Sequence, residues 1–326
     1  MNGKITLKEL SSMTGLSIAT CSRALQDPDS VKESSRRKIQ AALESSANGQ
    51  THTLAFVIPD ITNQFFPMLF KGIDEIAQVQ GYSLMVLQSG NNPAKEDAIL
   101  ANLLRLKVAG ILFICAERGS DFLHRICQEK KLPIVFLDRN PNIPDIHLVT
   151  SDNYGGTLQA ASYLLSLGHR DILYLGGNEN IKTEQERYQG FLRALKKEGV
   201  THDPALHVVA NYSMDDAYMA ISMILKKREL KFSAICASND LMAFGAYKAC
   251  RERGIRIPED ISIIGFDDLP SASLIGLTTI HQPFEEMGRA AILELLEMIR
   301  SEKDMPYEKK LQNSIVIRES VRSTAI

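Results

Sequence analysis

Four short polar clusters stand directly behind apolar runs of strand length: Asp60-Ile61-Thr62-Asn63, Asp138-Arg139, Asn239-Asp240 and Asp267-Asp268. Carboxylates, amides and a planar guanidinium make directional hydrogen bonds, and in a dry cleft such bonds suit a polyhydroxylated ligand. Ligands of open α/β sheets bind beyond the carboxyl ends of the strands, so these clusters are the first candidates for a site. Plainer readings stand beside them. Asp240 begins a helical stretch and reads as an N-cap. Asp152-Asn153 reads as a cap or turn, Arg139 as half of an internal ion pair, and Gly168-His169-Arg170 as the glycine stop of a helix. His169 and His281 are isolated, without metal-ligand spacing, and neither a metal nor a cofactor is expected. No GxGxxG follows a strand, and neither a P-loop nor a GxSxG elbow occurs, which argues against an enzyme.

The clusters need elements to hold them. From Thr53 onward, the runs TLAFVI, YSLMVL, GILFI, PIVFL, IHLVT, DILYL, LHVVA, SAICA and SIIGF alternate with helical patterns. Strands buried on both faces and separated by helices predict parallel α/β sheets. Two successive sets of similar length predict two Rossmann-like lobes with a cleft between them. Phe284–Arg300 reads as a further helix and LQNSIVIRES as one final strand, and both must cross back between the lobes.

Ahead of this body lie three short helical patterns. Thr6-Leu7-Lys8-Glu9 and Ser30-Val31-Lys32-Glu33 have capping-box spacing, Gly15 is placed for a left-handed helix stop, and Ser17 reads as the N-cap of Ile18–Leu25. Two short helices joined by a glycine-containing turn make a helix-turn-helix. The second helix is small-sided and polar at its start. Its hydroxyls and amides suit phosphates, and Arg23 reaches a guanine edge.

Charge is uneven. The chain has 326 residues and a net charge of −2, yet residues 1–50 hold seven basic and five acidic side chains, +2, leaving −4 for the rest. A mildly basic head on an acidic body fits local contact with phosphate. Five cysteines without a CxxC point to a reducing compartment, the cytoplasm. MNGKITLKELSSMTG lacks the apolar core of a signal peptide, and no run approaches membrane-spanning length, so neither export nor a membrane partner is expected.

The stretch ITLKELSSMTGLSIATCSRALQDPDSV resembles the headpiece of the lactose/galactose-repressor (LacI/GalR) family, whose pattern runs TxxDVAxxAGVSxxTVSRxLN. Thr6, Gly15, Ser17, Ala19-Thr20, Ser22-Arg23 and Leu25 match, while Cys21 and Gln26 stand where valine and asparagine are usual. The body resembles the same family through VIPDITNQFF, FLDR, VTSDNYGG, GHRDILYLGG, ERYQGFLRAL, ASNDLMAFGA, IPEDISIIGFDDLP, LTTIHQP and IVIRES. The resemblance implies a small all-α helix-turn-helix headpiece on a two-lobed α/β sensor of the type I periplasmic-binding-protein kind. It implies that Ile18, Ala19 and Arg23 read bases and that Thr6, Ser17, Thr20 and Ser22 hold phosphates. In the cleft it implies that Phe65 and Phe66 line the wall, Arg187 and Asp267 hold ligand hydroxyls or carbonyls, Asn239 adds a polar contact and Tyr212 stacks on the ligand. The expected function is a homodimeric repressor on an imperfectly palindromic operator, controlled by a small polar effector such as a sugar or sugar derivative. The alternative is a cytoplasmic sensor with impaired or atypical DNA binding.

The expected domains are a headpiece over 1–45, a short flexible linker over 46–52 and an effector-binding and dimerisation domain over 53–326. Its N-lobe should take 53–151 and 283–309, and its C-lobe 152–280 and 310–326. The family usually places a YxPNxxARSL-like hinge helix in the linker. Here the chain runs almost directly from Leu43 to Thr53, roughly 11 residues short of the usual arrangement. A Gly-, Ser- and Asn-containing tether predicts loosely oriented headpieces, tolerance of altered half-site spacing, little DNA bending and less than about tenfold effector response.

Overall fold

The computed structural model describes residues 6–47, 51–116, 120–129, 132–226, 231–301 and 305–324. Three helices come first: α1 (Leu7–Thr14), α2 (Ile18–Gln26) and α3 (Glu33–Ala47). The first capping box forms, with the Glu9 amide donating to Thr6 Oγ1 at 3.2 Å and the Thr6 amide donating to Glu9 Oε2 at 2.8 Å. Gly15 ends α1 at φ 65°, and Ser17 caps α2 by accepting from the Thr20 amide at 3.1 Å. Leu10, Cys21, Ala24, Ile39 and Ala42 form the small core between the three helices.

Two expectations fail here. The second capping box does not form: Ser30 ends a 3-10 turn begun by Pro28, and its hydroxyl donates to the Asp27 carbonyl at 2.6 Å instead. Nor is the linker as long as 46–52. The third helix continues through Ala47, the Thr51 amide donates to the Lys107 carbonyl at 3.2 Å, and the His52 ring stacks on Tyr82 with centroids 5.3 Å apart. Residues 51 and 52 are thus fastened to the sensor. Of the expected linker, residues 48–50 lie outside the described residues.

Among the described residues the body holds two six-stranded sheets. The first orders β11 (Tyr307–Leu311), β5 (His147–Ser151), β4 (Ile134–Leu137), β3 (Gly110–Phe113), β1 (Thr53–Ile58) and β2 (Ser83–Gln88), all parallel. The second orders β12 (Ser314–Val316), β10 (Thr278–His281), β9 (Ser262–Asp267), β8 (Ala234–Ala237), β6 (Ile172–Gly176) and β7 (His207–Val209), with only β12 antiparallel. The inner strands are apolar on both faces because helices cover both faces. On the first sheet, α4 (Phe65–Val79) and α12 (Phe284–Ser301) pack one side, and α5 (Pro93–Leu106) and α6 (Asp121–Gln128) the other. On the second, α7 (Asn153–Ser166) and α8 (Lys182–Lys197) face α9 (Met214–Ile224) and α10 (Asp240–Glu252), while the short α11 (Pro270–Leu274) follows β9. Gly72 and Gly288 let α4 and α12 touch: a Cβ on Gly72 would lie 2.3 Å from the Glu285 carbonyl oxygen, and one on Gly288 2.4 Å from that of Leu69. Each fully buried Leu, Ile or Phe in these layers contributes about 1.5–3 kcal/mol.

Among the described residues the chain passes between the lobes three times: after β5 at Asp152, after β10 at Gln282-Pro283, and after β11 at Gln312-Asn313. The lobe boundary expected at 309/310 therefore falls inside β11, and the crossing lies at 312–313. The single strand expected over LQNSIVIRES is likewise two pieces, its Leu311 closing the first sheet and Ser314–Val316 opening onto the second.

Candidate functional site

The two lobes face one another across a small cavity with about 50 Å3 of free space. Ten residues line it: Asn63, Phe65, Phe66, Asp138, Arg139, Thr183, Arg187, Tyr212, Asn239 and Asp267. Phe65, Phe66, Arg187, Tyr212, Asn239 and Asp267 were expected to meet there. Asn63 and the Asp138-Arg139 pair belong to the strand-end clusters, and Thr183 carried no signal in the sequence. The space suffices for a few waters.

Arg187 is the most constrained of these side chains. It projects from α8, 4 % exposed, and its Nε donates to Asn153 Oδ1 at 2.8 Å and its Nη1 to the Ser238 carbonyl at 2.5 Å. Burial works against its charge, but Tyr212, Asp267 and Asp138 around it hold its pKa above the ordinary arginine value. Asp267 ends β9 and accepts from Gln282 Nε2 at 2.7 Å. Burial pushes its pKa up to about 7, against the pull of Arg187 and Gln282 and with Asp138 adding repulsion. Asp138 is likewise raised by burial, and its Oδ1 has no hydrogen-bond partner. The Tyr212 hydroxyl is also buried without one, and its ring lies on the bare backbone of Gly177, where a Cβ would come within 2.4 Å of it. Two arginines and two carboxylates face the cavity, and its two orphaned polar atoms cost free energy until something pairs them.

Three lining residues hold left-handed or related backbone: Asp138 at φ 62°, Tyr212 at φ 60° and Asp267 at φ 126°. Non-glycine residues there store strain, which concentrates at ligand sites.

The plainer readings of the neighbours sort out differently. Asn239, not Asp240, caps α10, accepting from the Met242 amide at 2.9 Å. Asp240 is fully buried behind the cavity, where the Leu269 amide and Thr279 hydroxyl donate to it at 2.8 and 2.6 Å. It anchors the loop that follows Asp267. Asp152 caps α7, while Asn153, taken as a cap or turn, orients Arg187. Arg139 binds Asn91 Oδ1 at 2.6 Å and the Cys115 carbonyl at 3.1 Å, with Asp138 only within 3.8 Å, so amide and carbonyls hold it more than an ion pair does. His169 ties Ser233 to the Arg322 carbonyl, and among the described residues no three His, Cys, Asp or Glu side chains converge as metal ligands.

On the headpiece, α2 turns Ile18, Ala19 and Arg23 outward, and Ile18 is 51 % exposed. Thr6 and Ser17 are exposed at the starts of α1 and α2, with Thr20 and Ser22 half-buried beside them. Ser17 Oγ and Thr20 Oγ1 lie 2.8 Å apart, a hydroxyl pair at a helix N-terminus.

Comparison with known proteins agrees with this architecture. Residues 51–319 match the family of periplasmic binding proteins and sugar binding domain of LacI family. The HTH-type transcriptional repressor PurR of Pasteurella multocida is 29% identical over 331 residues, covering 98% of this chain and 99% of its own. A solved complex of the transcriptional regulator CelR with cellobiose superposes with a TM-score of 0.76 at 26% identity, over 97% of this chain and 100% of that one. A LacI family transcriptional regulator from Enterococcus faecium, with bound ribose, gives 0.74 at 29% identity, over 83% and 98%.

Fold and site define a two-lobed type I periplasmic-binding-protein-like sensor that carries a helix-turn-helix headpiece. The chain belongs to the LacI/GalR family of transcription regulators, a class without catalytic activity.

Proposed function

We propose that the chain is a cytoplasmic, homodimeric repressor whose affinity for an imperfectly palindromic operator is set by a small neutral polyol, a sugar or sugar derivative, bound between the lobes. The cavity carries this reading. It offers two arginines and two carboxylates, with Asp138 Oδ1 and the Tyr212 hydroxyl awaiting partners. A ligand rich in hydroxyls supplies donors and acceptors together and adds no net charge. Solved relatives hold cellobiose, ribose and D-xylulofuranose. Arg187 and Asp267 take the principal polar contacts, Asn239 a further one, and Phe65, Phe66 and Tyr212 the ring faces.

DNA contact falls to the headpiece, with Ile18, Ala19 and Arg23 on base edges and Thr6, Ser17, Thr20 and Ser22 on phosphates. One short helix reads one half-site, so a symmetric pair is needed. The C-lobe offers a surface for it: Leu274, 84 % exposed, stands beside Met214, Phe244, Tyr247 and Ile275 around an open apolar groove. Among the described residues no helix is long and apolar enough to cross a membrane.

A thermal-shift screen of neutral sugars, sugar phosphates and nucleosides tests the effector class, since a ligand of the folded state raises the melting temperature. Neutral sugars should give the largest shifts. A preference for phosphorylated compounds, or no response to any sugar, would overturn the neutral-polyol reading.

A further inference from the structure

Each of the three interlobe passages contributes one buried polar side chain to a single contact. Ser151 precedes the first passage, Gln282 lies in the second and Asn313 in the third, at 0 %, 0 % and 6 % exposure. Ser151 Oγ donates to Gln282 Oε1, and Asn313 Nδ2 donates to Ser151 Oγ at 3.3 Å and to the Asp152 carbonyl at 3.1 Å. The same knot reaches the cavity from both sides. Gln282 Nε2 donates to Asp267 Oδ1 at 2.7 Å. Asn153 Nδ2 donates to the Ser151 carbonyl at 3.2 Å, and Asn153 Oδ1 accepts from Arg187 Nε at 2.8 Å. Arg187 Nη1 then stands 3.9 Å from Asp267 Oδ1, which closes a ring through Arg187, Asn153, Ser151, Gln282 and Asp267.

We infer that Ser151 and Gln282 are positioning residues that tie the state of the Arg187–Asp267 pair to all three interlobe passages, so that occupancy of the cavity is read out as hinge geometry. A ligand that draws Asp267 toward itself competes with Gln282 for that carboxylate. Gln282 is shared with Ser151, and Ser151 with Asn313, so the three passages respond together. Buried hydrogen-bond chains of this kind have few alternative partners, which gives them discrete arrangements and not a continuum. Hinges are often assigned to loose glycine-rich loops, whereas here the passages are pinned by buried side chains that hydrogen-bond to residues lining the cavity.

The functional meaning rests on the effector reading, but the contact is testable without any ligand. Amide exchange followed by mass spectrometry on the full-length protein would compare the wild type with Gln282→Met, Ser151→Ala, Asp267→Ala and the double variant Asp267→Ala/Gln282→Met. The informative peptides span 150–155, where the Asp152 amide donates to the Leu311 carbonyl at 2.8 Å, and 311–316. Each single variant should speed exchange in both peptides by about tenfold, the effect of losing one buried hydrogen bond, while the centres of β3 and β8 stay protected. The double variant should exchange no faster than Gln282→Met alone, because the Gln282 hydrogen bond at 2.7 Å is the direct link from Asp267, the other way round the ring passing through the 3.9 Å Arg187–Asp267 contact. If Gln282→Met fails to fold, Ser151→Ala takes its place in the double. Wild-type exchange at 311–316 in Asp267→Ala would overturn the inference, as would effects that multiply in the double. A failed ligand screen would leave this result untouched, and the converse holds as well.

Discussion

The Arg187 guanidinium lies over the face of Phe266, its central carbon 3.8 Å from the ring centroid, with Phe266 immediately before Asp267 in the chain. The strand that delivers the carboxylate thus also delivers an aromatic floor that keeps the cation flat and partly desolvated. A lysine meets neither demand, since its point charge has no plane to stack and no fork to share between Asn153 and Ser238.

Arg187→Ala and Asp267→Ala should each weaken effector binding by about 2–5 kcal/mol, because each leaves a buried charge unpaired. Arg187→Lys should also fall well short of the wild type. Calorimetric titration would read this, and unchanged affinity in both alanine variants would place the pocket elsewhere.

Effector affinity should depend on pH through Asp267. Its carboxyl sits at about 7 in the folded chain against an ordinary 3.8. The folded state therefore holds a proton that the unfolded state has lost, and this group's contribution to stability falls as pH rises through that window. Hydroxyls that donate to Asp267 favour its ionised form, so binding releases a proton. Affinity should rise from about pH 5 to about pH 7 and level off above, and titrations in buffers of differing ionisation heat would count the proton. Affinity that falls over this range would mean that Asp267 meets the ligand as a donor.

Strain at Asp138 predicts an exchange of stability against binding. Asp138→Gly relieves a φ of 62° and removes a buried carboxylate oxygen without a partner. It should stabilise the fold by about 1 kcal/mol while weakening the effector at least about tenfold. Thermal melts paired with titration would check it, and a lower melting temperature would mean that Asp138 is structural.

On the headpiece, Arg23→Ala should cost about 1–3 kcal/mol on the operator and relax preference at one base pair. Uniform weakening across all sequences in a gel-shift series would remove Arg23 from the base readers.

With α3 running through Ala47 and Thr51 fastened to Lys107, the interval Ala47 to Thr51 spans at most about 14 Å. Such a span holds each headpiece close to its sensor, so the operator should show one sharp half-site spacing and not the tolerance expected of a seven-residue linker. Bending should stay small without a wedge in the minor groove. Inserting a Gly-Ser stretch at Gly49 should broaden the spacing preference. Equal tolerance before and after insertion would show that the tether was never limiting.

Much of this was readable in the residues, for identifiable reasons. Strand ends converge by topology, so polar clusters after apolar runs located Asp138, Asn239 and Asp267 without any coordinates, and resemblance added Phe65, Phe66, Arg187 and Tyr212. Ser151, Asn153 and Gln282 escaped because small polar residues beside strand ends look like caps and turns; only burial distinguishes them. Asp240 and Asn239 were told apart by which backbone amide each faces, which no spacing rule decides. The strand β11 reads Tyr-Glu-Lys-Lys-Leu, charged because it lies at a sheet edge, and β10 opens on Thr278-Thr279, polar groups that buried partners satisfy. Both lack the apolar run that marks the other strands.

The passages between the lobes also set a clock on biosynthesis. The first sheet has its fifth strand once His147–Ser151 is made, but its sixth arrives only with Tyr307–Leu311. At about 5–20 residues per second the interval is roughly 8–30 s. Throughout it β5 is an edge with unpaired backbone groups, a template for pairing with any other nascent chain. The yield of soluble protein therefore depends on what shields that edge until residue 311 has emerged.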